Sequence, residues 1–171
     1  MPLATVDDAL TWLRSVGAPP RLVQHHALVA EAAVELVEGL SACGYSFDAQ
    51  LVLLGAALHD AGKLLHPDEM NGPGHQHEPA GHELLRTHDL ETLARFCLSH
   101  ADCDRDDVPL EDLLVALADK LWKGKRVAAL EQRVVTRLAA SRDEEHWATY
   151  VAVDPVFERI AAQGDERLGR S

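Results

Sequence analysis

The sequence predicts an all-α fold, a single-domain helical bundle of about six to eight helices. Apolar residues recur at helical spacing nearly throughout the chain, and no run alternates polar and apolar residues between turn signals as a strand would. The 171 residues, 47% hydrophobic and 26% charged, lie within the range of globular chains and outside that of disordered ones. A chain of this length buries roughly two-thirds of the surface its unfolded form exposes.

Taken in order, Thr5 and Asp8 have the spacing of a capping box and open a first helix through about Val16, closed by Gly17 and Pro19. A second helix runs from about Pro20 to Ala42, with Leu22, Val29, Ala33, Leu36 and Leu40 on one stripe and Gly44 as its stop. The third, from about Phe47 to Ala61, is apolar on all sides between Leu51 and Leu58, the mark of a buried helix, and Gly62 ends it. His66 to Pro79 reads as a loop. Short helices follow over Pro79 to Arg86 and Asp89 to Ser99, with Asp89 placed as a cap. Pro109 opens a long helical stretch to about Ala140 with a possible break at Gly124. A last helix starts near Asp143 and is interrupted or ended by Pro155, and the tail beyond Gln163 is expected to fray.

Charge and cysteine content narrow the function. The formal net charge of -12 disfavours nucleic acid, whose binding depends on lysine and arginine neutralising phosphate. The longest strongly apolar run is too short for a bilayer, so no membrane span is expected. The first ten residues carry Asp7 and Asp8 and no basic residue, unlike a secretory or transit segment, which makes the cytoplasm the expected compartment. Cys43, Cys97 and Cys103 fit no zinc-finger spacing and read as free thiols. Trp12, Trp122 and Trp147 read as core. Of the ten histidines, His59, His66, His75, His77, His82, His88 and His100 fall in one quarter of the chain.

The sharpest local feature is His59-Asp60 at the end of the apolar third helix. Burying a carboxylate and an imidazole together costs several kcal/mol unless a cation or a full set of hydrogen bonds compensates. His25, His77, His100 and Asp119 are positioned to supply or share that compensation. Asp119 is informative because Val115, Ala116 and Trp122 flank it on an inward stripe. Helix geometry alone leaves His25 and His26 open, and His75 and His82 compete with His77.

In this order, His25, His59-Asp60, His77, His100 and Asp119 resemble the HD superfamily of metal-dependent phosphohydrolases. His25 followed by Val29-Ala30 is similar to that family's H-x-x-x-V-A. Leu58-His59-Asp60-Ala61-Gly62-Lys63 resembles its L-H-D-I-G-K box, His77 to Leu85 its H-x-x-x-G-x-x-L-L segment, and Ala118-Asp119-Lys120-Leu121 its terminal A-D box. The likeness covers a motif-bearing core of about residues 20–125, followed by C-terminal helices over about 126–163, within one HD-type domain spanning 1–171. It selects His25 over His26 and His77 over its neighbours.

The resemblance implies two divalent metals per chain. Asp60 would bridge them, with His25, His59 and Asp119 on one and His77 and His100 on the other. An all-nitrogen-and-oxygen set suits Fe, Mn, Mg, Ni or Co rather than a structural zinc. Such a pair polarises a phosphoryl group and makes hydroxide available near neutral pH, so the expected reaction is hydrolysis of a small phosphate ester, a nucleotide or related metabolite. Lys63 reads either as a contact to phosphate or leaving group or as a lysine favouring a helix C-terminus. Lys120, Lys123, Lys125 and Arg126 read as a substrate rim or a solvated face. Ala101-Asp102-Cys103-Asp104 stands where Gly-Tyr-Pro would follow His100 in cyclic-di-GMP hydrolases, which argues against that substrate. Two alternatives use the same ligand order: a di-iron oxygenase cleaving a C-C or C-P bond, and a non-catalytic domain that senses a nucleotide.

Overall fold

The computed structural model describes residues 3–171; Met1 and Pro2, the start of the stretch inspected for a targeting signal, lie outside them. The fold is all-α, with seven helices of ten or more residues, three of four or five, and no strand among the described residues. Helix α1 (Val6–Ser15) begins with the expected capping box, the Asp8 N–H donating to Thr5 Oγ1 at 3.1 Å and the Thr5 N–H to Asp8 Oδ2 at 2.9 Å. Helix α2 (Pro20–Ala42) carries proline at its first position, where no amide is needed, and Gly44 follows it at φ +91°.

Helix α3 (Ala49–Leu58), capped by Asp48, stops three residues before the expected Ala61. His59 and Asp60 leave the helix, and Ala61–Leu64 continues as a 3₁₀ turn. The cause lies in Gly62, which meets the start of helix α4 (His77–Thr87) so closely that a Cβ there would stand 1.8 Å from the His77 carbonyl oxygen and 2.5 Å from the Gly81 nitrogen. Helix α4 begins before Pro79, which occupies its first turn without breaking an internal bond. The preceding segment contains a second 3₁₀ turn, Pro67–Met70.

The expected helix over Asp89 to Ser99 divides into α5 (Glu91–Ala94) and α6 (Phe96–Ser99). Asp89 sits at φ +60° and caps neither, correcting the reading of it as a cap. The long stretch after Pro109 is broken, as the glycine suggested, into α7 (Leu110–Leu121) and α8 (Ala128–Arg142), with Gly124 at φ +76°. Helix α9 (His146–Ala162) runs through Pro155 instead of ending there. Pro155 is exposed, as is Val151 four residues earlier, so the bond the proline cannot donate is lost on the solvent side of the helix. Residues beyond Gln163 do not fray but form α10 (Gly164–Leu168). Arg167 is fully buried there, donating to Glu31 at 3.1 Å, to Glu35 and to the Ile160 carbonyl at 2.9 Å.

Helix α2 packs against α1, α3, α7 and α9, and α3 against α1, α2, α5, α6 and α7. The all-round apolar character of α3 follows from this enclosure, with Val52 and the run Leu54–Leu58 buried. Trp122 is buried, but Trp147 is 70% exposed and stacks on Tyr150, so it is not core. The three cysteines are unpaired. No helix among the described residues is long and apolar enough to cross a membrane.

Candidate metal centre

Five segments converge on one point inside the bundle. His25 comes from α2, His59 and Asp60 from the exit of α3, His77 from the first position of α4, His100 from the end of α6, and Asp119 from the last turn of α7. The close approach of Gly62 and Gly81 seats α4 against the 3₁₀ turn, which carries His77 to Asp60. Asp60, 3% exposed, turns its two oxygens to different partners. Oδ2 lies 3.1 Å from His25 Nε2 and 3.5 Å from His59 Nε2, and Oδ1 lies 3.2 Å from both His77 Nε2 and His100 Nε2. Asp119 Oδ1 is 3.5 Å from His59 Nε2. The ligand atoms thus form two sets sharing Asp60: His25, His59, Asp60 and Asp119 in one, and Asp60, His77 and His100 in the other.

Ring orientation is set from behind. His59 Nδ1 is 2.9 Å from the Ala56 carbonyl, His100 Nδ1 2.8 Å from the Phe96 carbonyl, and His77 Nδ1 2.5 Å from Glu69 Oε2. Carbonyls and carboxylates only accept, so each Nδ1 carries the proton and each Nε2 turns towards Asp60. Burial lowers the His59 imidazole below its ordinary value, and its Nε2 stands 3.5 Å from an oxygen of both Asp60 and Asp119. Neither His59 Nε2 nor Asp60 Oδ1 has a hydrogen-bond partner. Buried polar atoms left without a partner beside carboxylate oxygens call for a cation between them, and outer partners of this kind accompany metal-bound histidines. The residues therefore fit a pair of divalent metals.

Within the cluster the anions also meet the protein's own charges. Burial pushes the Asp60 carboxyl up, but the imidazoles of His59, His100, His25 and His77 outweigh it and hold the group well below the usual carboxylate range. Asp119 is likewise raised by burial and brought well below that range by His59, Lys123 and Lys120. Burial lowers His77 and His100, yet the Asp60 carboxylate prevails and leaves both raised. Lys63 Nζ lies 2.6 Å from Asp60 Oδ2, which brings that predicted residue to the cluster.

The neighbours fall out differently. His26 is fully buried behind the cluster with both ring nitrogens unpartnered, and His75 is exposed, its Nδ1 3.1 Å from Glu78. Lys120 and Lys123 gather on Asp119 at 2.7 and 3.9 Å, Lys125 is exposed, and Arg126 is tied to Glu131, Asp154 and Glu158. A cleft of about 260 Å³ opens on the His25 and Lys63 side, walled also by Arg21, Trp122 and Lys123. Sequence reading missed Arg21, although its position four residues before His25 places both on one helix face. It missed Glu69 as well, which no helical spacing connects to His77. A larger cleft of about 560 Å³, lined by Glu78, Arg95, Leu98 and Asp112 among others, contains none of the clustered ligands, whereas the smaller one includes His25.

Comparison with known proteins bears on the same stretch. The HD domain family matches residues 22–122. An uncharacterised protein of Methanocaldococcus jannaschii is 27% identical over 176 residues, covering 94% of this chain and 95% of that one. No solved structure matches.

Proposed function

The chain belongs to the HD-domain family of metal-dependent phosphohydrolases, and from that premise we propose that it hydrolyses a small phosphate ester, a nucleotide or related phosphorylated metabolite, in the cytoplasm. The observation that carries the reading is the division of Asp60, whose two oxygens face separate sets of imidazoles across partnerless buried atoms. His25, His59, Asp60 and Asp119 would hold one divalent metal and Asp60, His77 and His100 the other. When bound, the pair supplies Lewis-acid polarisation of a phosphoryl oxygen and a nucleophile acidic enough to act near neutral pH.

The chain's own residues do the rest. Lys63, at the carboxylate edge of the cluster, would neutralise a non-bridging oxygen or the departing one. Arg21 and Lys123, on the cleft wall, would draw an anionic substrate to a chain that is otherwise strongly acidic. The alkyl stem of Met70 and the Trp122 ring, also on that wall, would exclude water from the ester.

The test is phosphate release from a panel of phosphomonoesters, nucleotides included, with elemental metal counts on the same samples. About two metals per chain and oxygen-independent hydrolysis, both lost in Asp60→Asn, are expected. Two bound irons with oxygen consumed and no phosphate released would replace this reading with the oxygenase. A chain that retains nucleotides without turnover would replace it with the sensor.

A further inference from the structure

Metal-bound histidines commonly give their other ring N–H to an acceptor behind them, and two of the rings find theirs in their own helices. His59 donates to the carbonyl three residues back and His100 to the carbonyl four residues back. His77 cannot do so. It is the first residue of α4, so no preceding turn of its helix offers a carbonyl, and an acceptor must come from elsewhere in the chain.

We propose that Glu69 is that acceptor, a positioning residue that fixes His77 for the second metal; the inference rests on the two-metal reading above. Glu69 is 7% exposed in a segment otherwise mostly at the surface. Its Oε2 lies 2.5 Å from His77 Nδ1 and accepts the His77 N–H at 3.1 Å, while Oε1 accepts the Gln76 N–H at 3.1 Å. The carboxylate holds the proton on Nδ1, which leaves Nε2, 3.2 Å from Asp60 Oδ1, as the ligating atom. Gly74 closes over it: a Cβ there would stand 2.4 Å from the Glu69 carboxyl carbon and Oε1. From the 3₁₀ turn to the start of α4 the chain thus brings together a buried acid at hydrogen-bond distance, a histidine to receive it and a glycine that makes room, while Glu78 Oε2 stands off at 3.8 Å from the same nitrogen.

The same contacts would also cap the first amides of α4, so the test separates capping from positioning. Glu69→Gln keeps an acceptor for the amides and removes the charge. Mn²⁺ is titrated into wild type, Glu69→Gln, His77→Ala and the double variant, read by calorimetry and by the electron-resonance signal of a coupled manganese pair, with the metal-free melting temperature measured alongside. Positioning requires that Glu69→Gln bind its first Mn²⁺ as wild type does and its second about 10–100-fold more weakly, with an unchanged metal-free melting temperature. It also requires that the substitution add nothing in the His77→Ala background. Gly74→Ala, which displaces the carboxylate from the other side, should weaken the same site and serves if the glutamine variant folds poorly. Wild-type affinity for both metals in Glu69→Gln overturns the proposal and leaves Glu69 as a cap. A wild type that never binds a second Mn²⁺ overturns the two-metal reading and this inference together, whereas two metals without phosphate release overturn the hydrolase alone.

Discussion

Asp60 is the residue on which the most depends, because each of its oxygens serves a different set of histidines. Its neighbours His25 and His26 provide the sharpest test of geometry over sequence. His25 Nε2 is 3.1 Å from Asp60, while His26 is wholly buried and its two nitrogens bond to nothing. Burial, helped by His25 and His59, drives the His26 imidazole well below its ordinary range, so it packs as a neutral ring. Replacing an unsatisfied buried polar group by an apolar one of similar volume is neutral or stabilising. His26→Leu should therefore keep its metals and match or exceed wild-type stability by up to about 1 kcal/mol, whereas His25→Leu should lose a metal; elemental counts and denaturant unfolding decide it. Both histidines lie near the apolar stripe of α2, which is why periodicity alone did not choose between them. Glu69 was illegible for another reason: its contact with His77 joins a loop to a helix start, and that closure leaves no repeat in the sequence.

At the scale of elements, what reads well is what depends on local chemistry. The Thr5 cap, the proline-led start of α2 and the Gly124 break each use a side chain or a φ that acts on its own neighbours. What reads poorly is decided by distant contacts. Arg167 looks like one more surface charge until Glu31 and Glu35 of α2 reach it, and α10 survives because of them. The early end of α3 likewise reflects α4, whose backbone presses on Gly62. Any side chain at 62 must push α4 away, since the atoms it would meet are backbone and cannot rotate aside. Gly62→Ala should cost about 3 kcal/mol, the upper end for overpacking, and should weaken the second metal by drawing His77 from Asp60. Gly72→Ala, whose Cβ would meet nothing closer than 3.6 Å, is the matching control and should change neither the urea midpoint nor the metal count.

Across the whole molecule, the metal-free and metal-loaded forms should answer pH with different slopes. His77 and His100 are raised in the metal-free chain from an ordinary value of 6.5. Their contribution to stability is fully present below that value and is lost as the pH rises through their folded values. His26 and His59 are lowered from the same value, so theirs is present above it and is lost as the pH falls through their folded values. The two pairs act on opposite sides of that value, the lowered pair below it and the raised pair above it. Metal removes one side of the balance, because imidazole must be neutral to ligate. His77 and His100 then give up their protons, all four rings are neutral in the loaded protein, and its stability climbs with pH through about 6.5 as the unfolded chain sheds the protons it alone still binds. Calorimetric Mn²⁺ titrations near pH 6.5, run in buffers of different ionisation enthalpy, should show more than one proton released from these two rings as both metals bind. His77→Ala should release fewer, and identical proton release in that variant would mean that the ring is neutral before metal arrives and that Asp60 does not hold it charged.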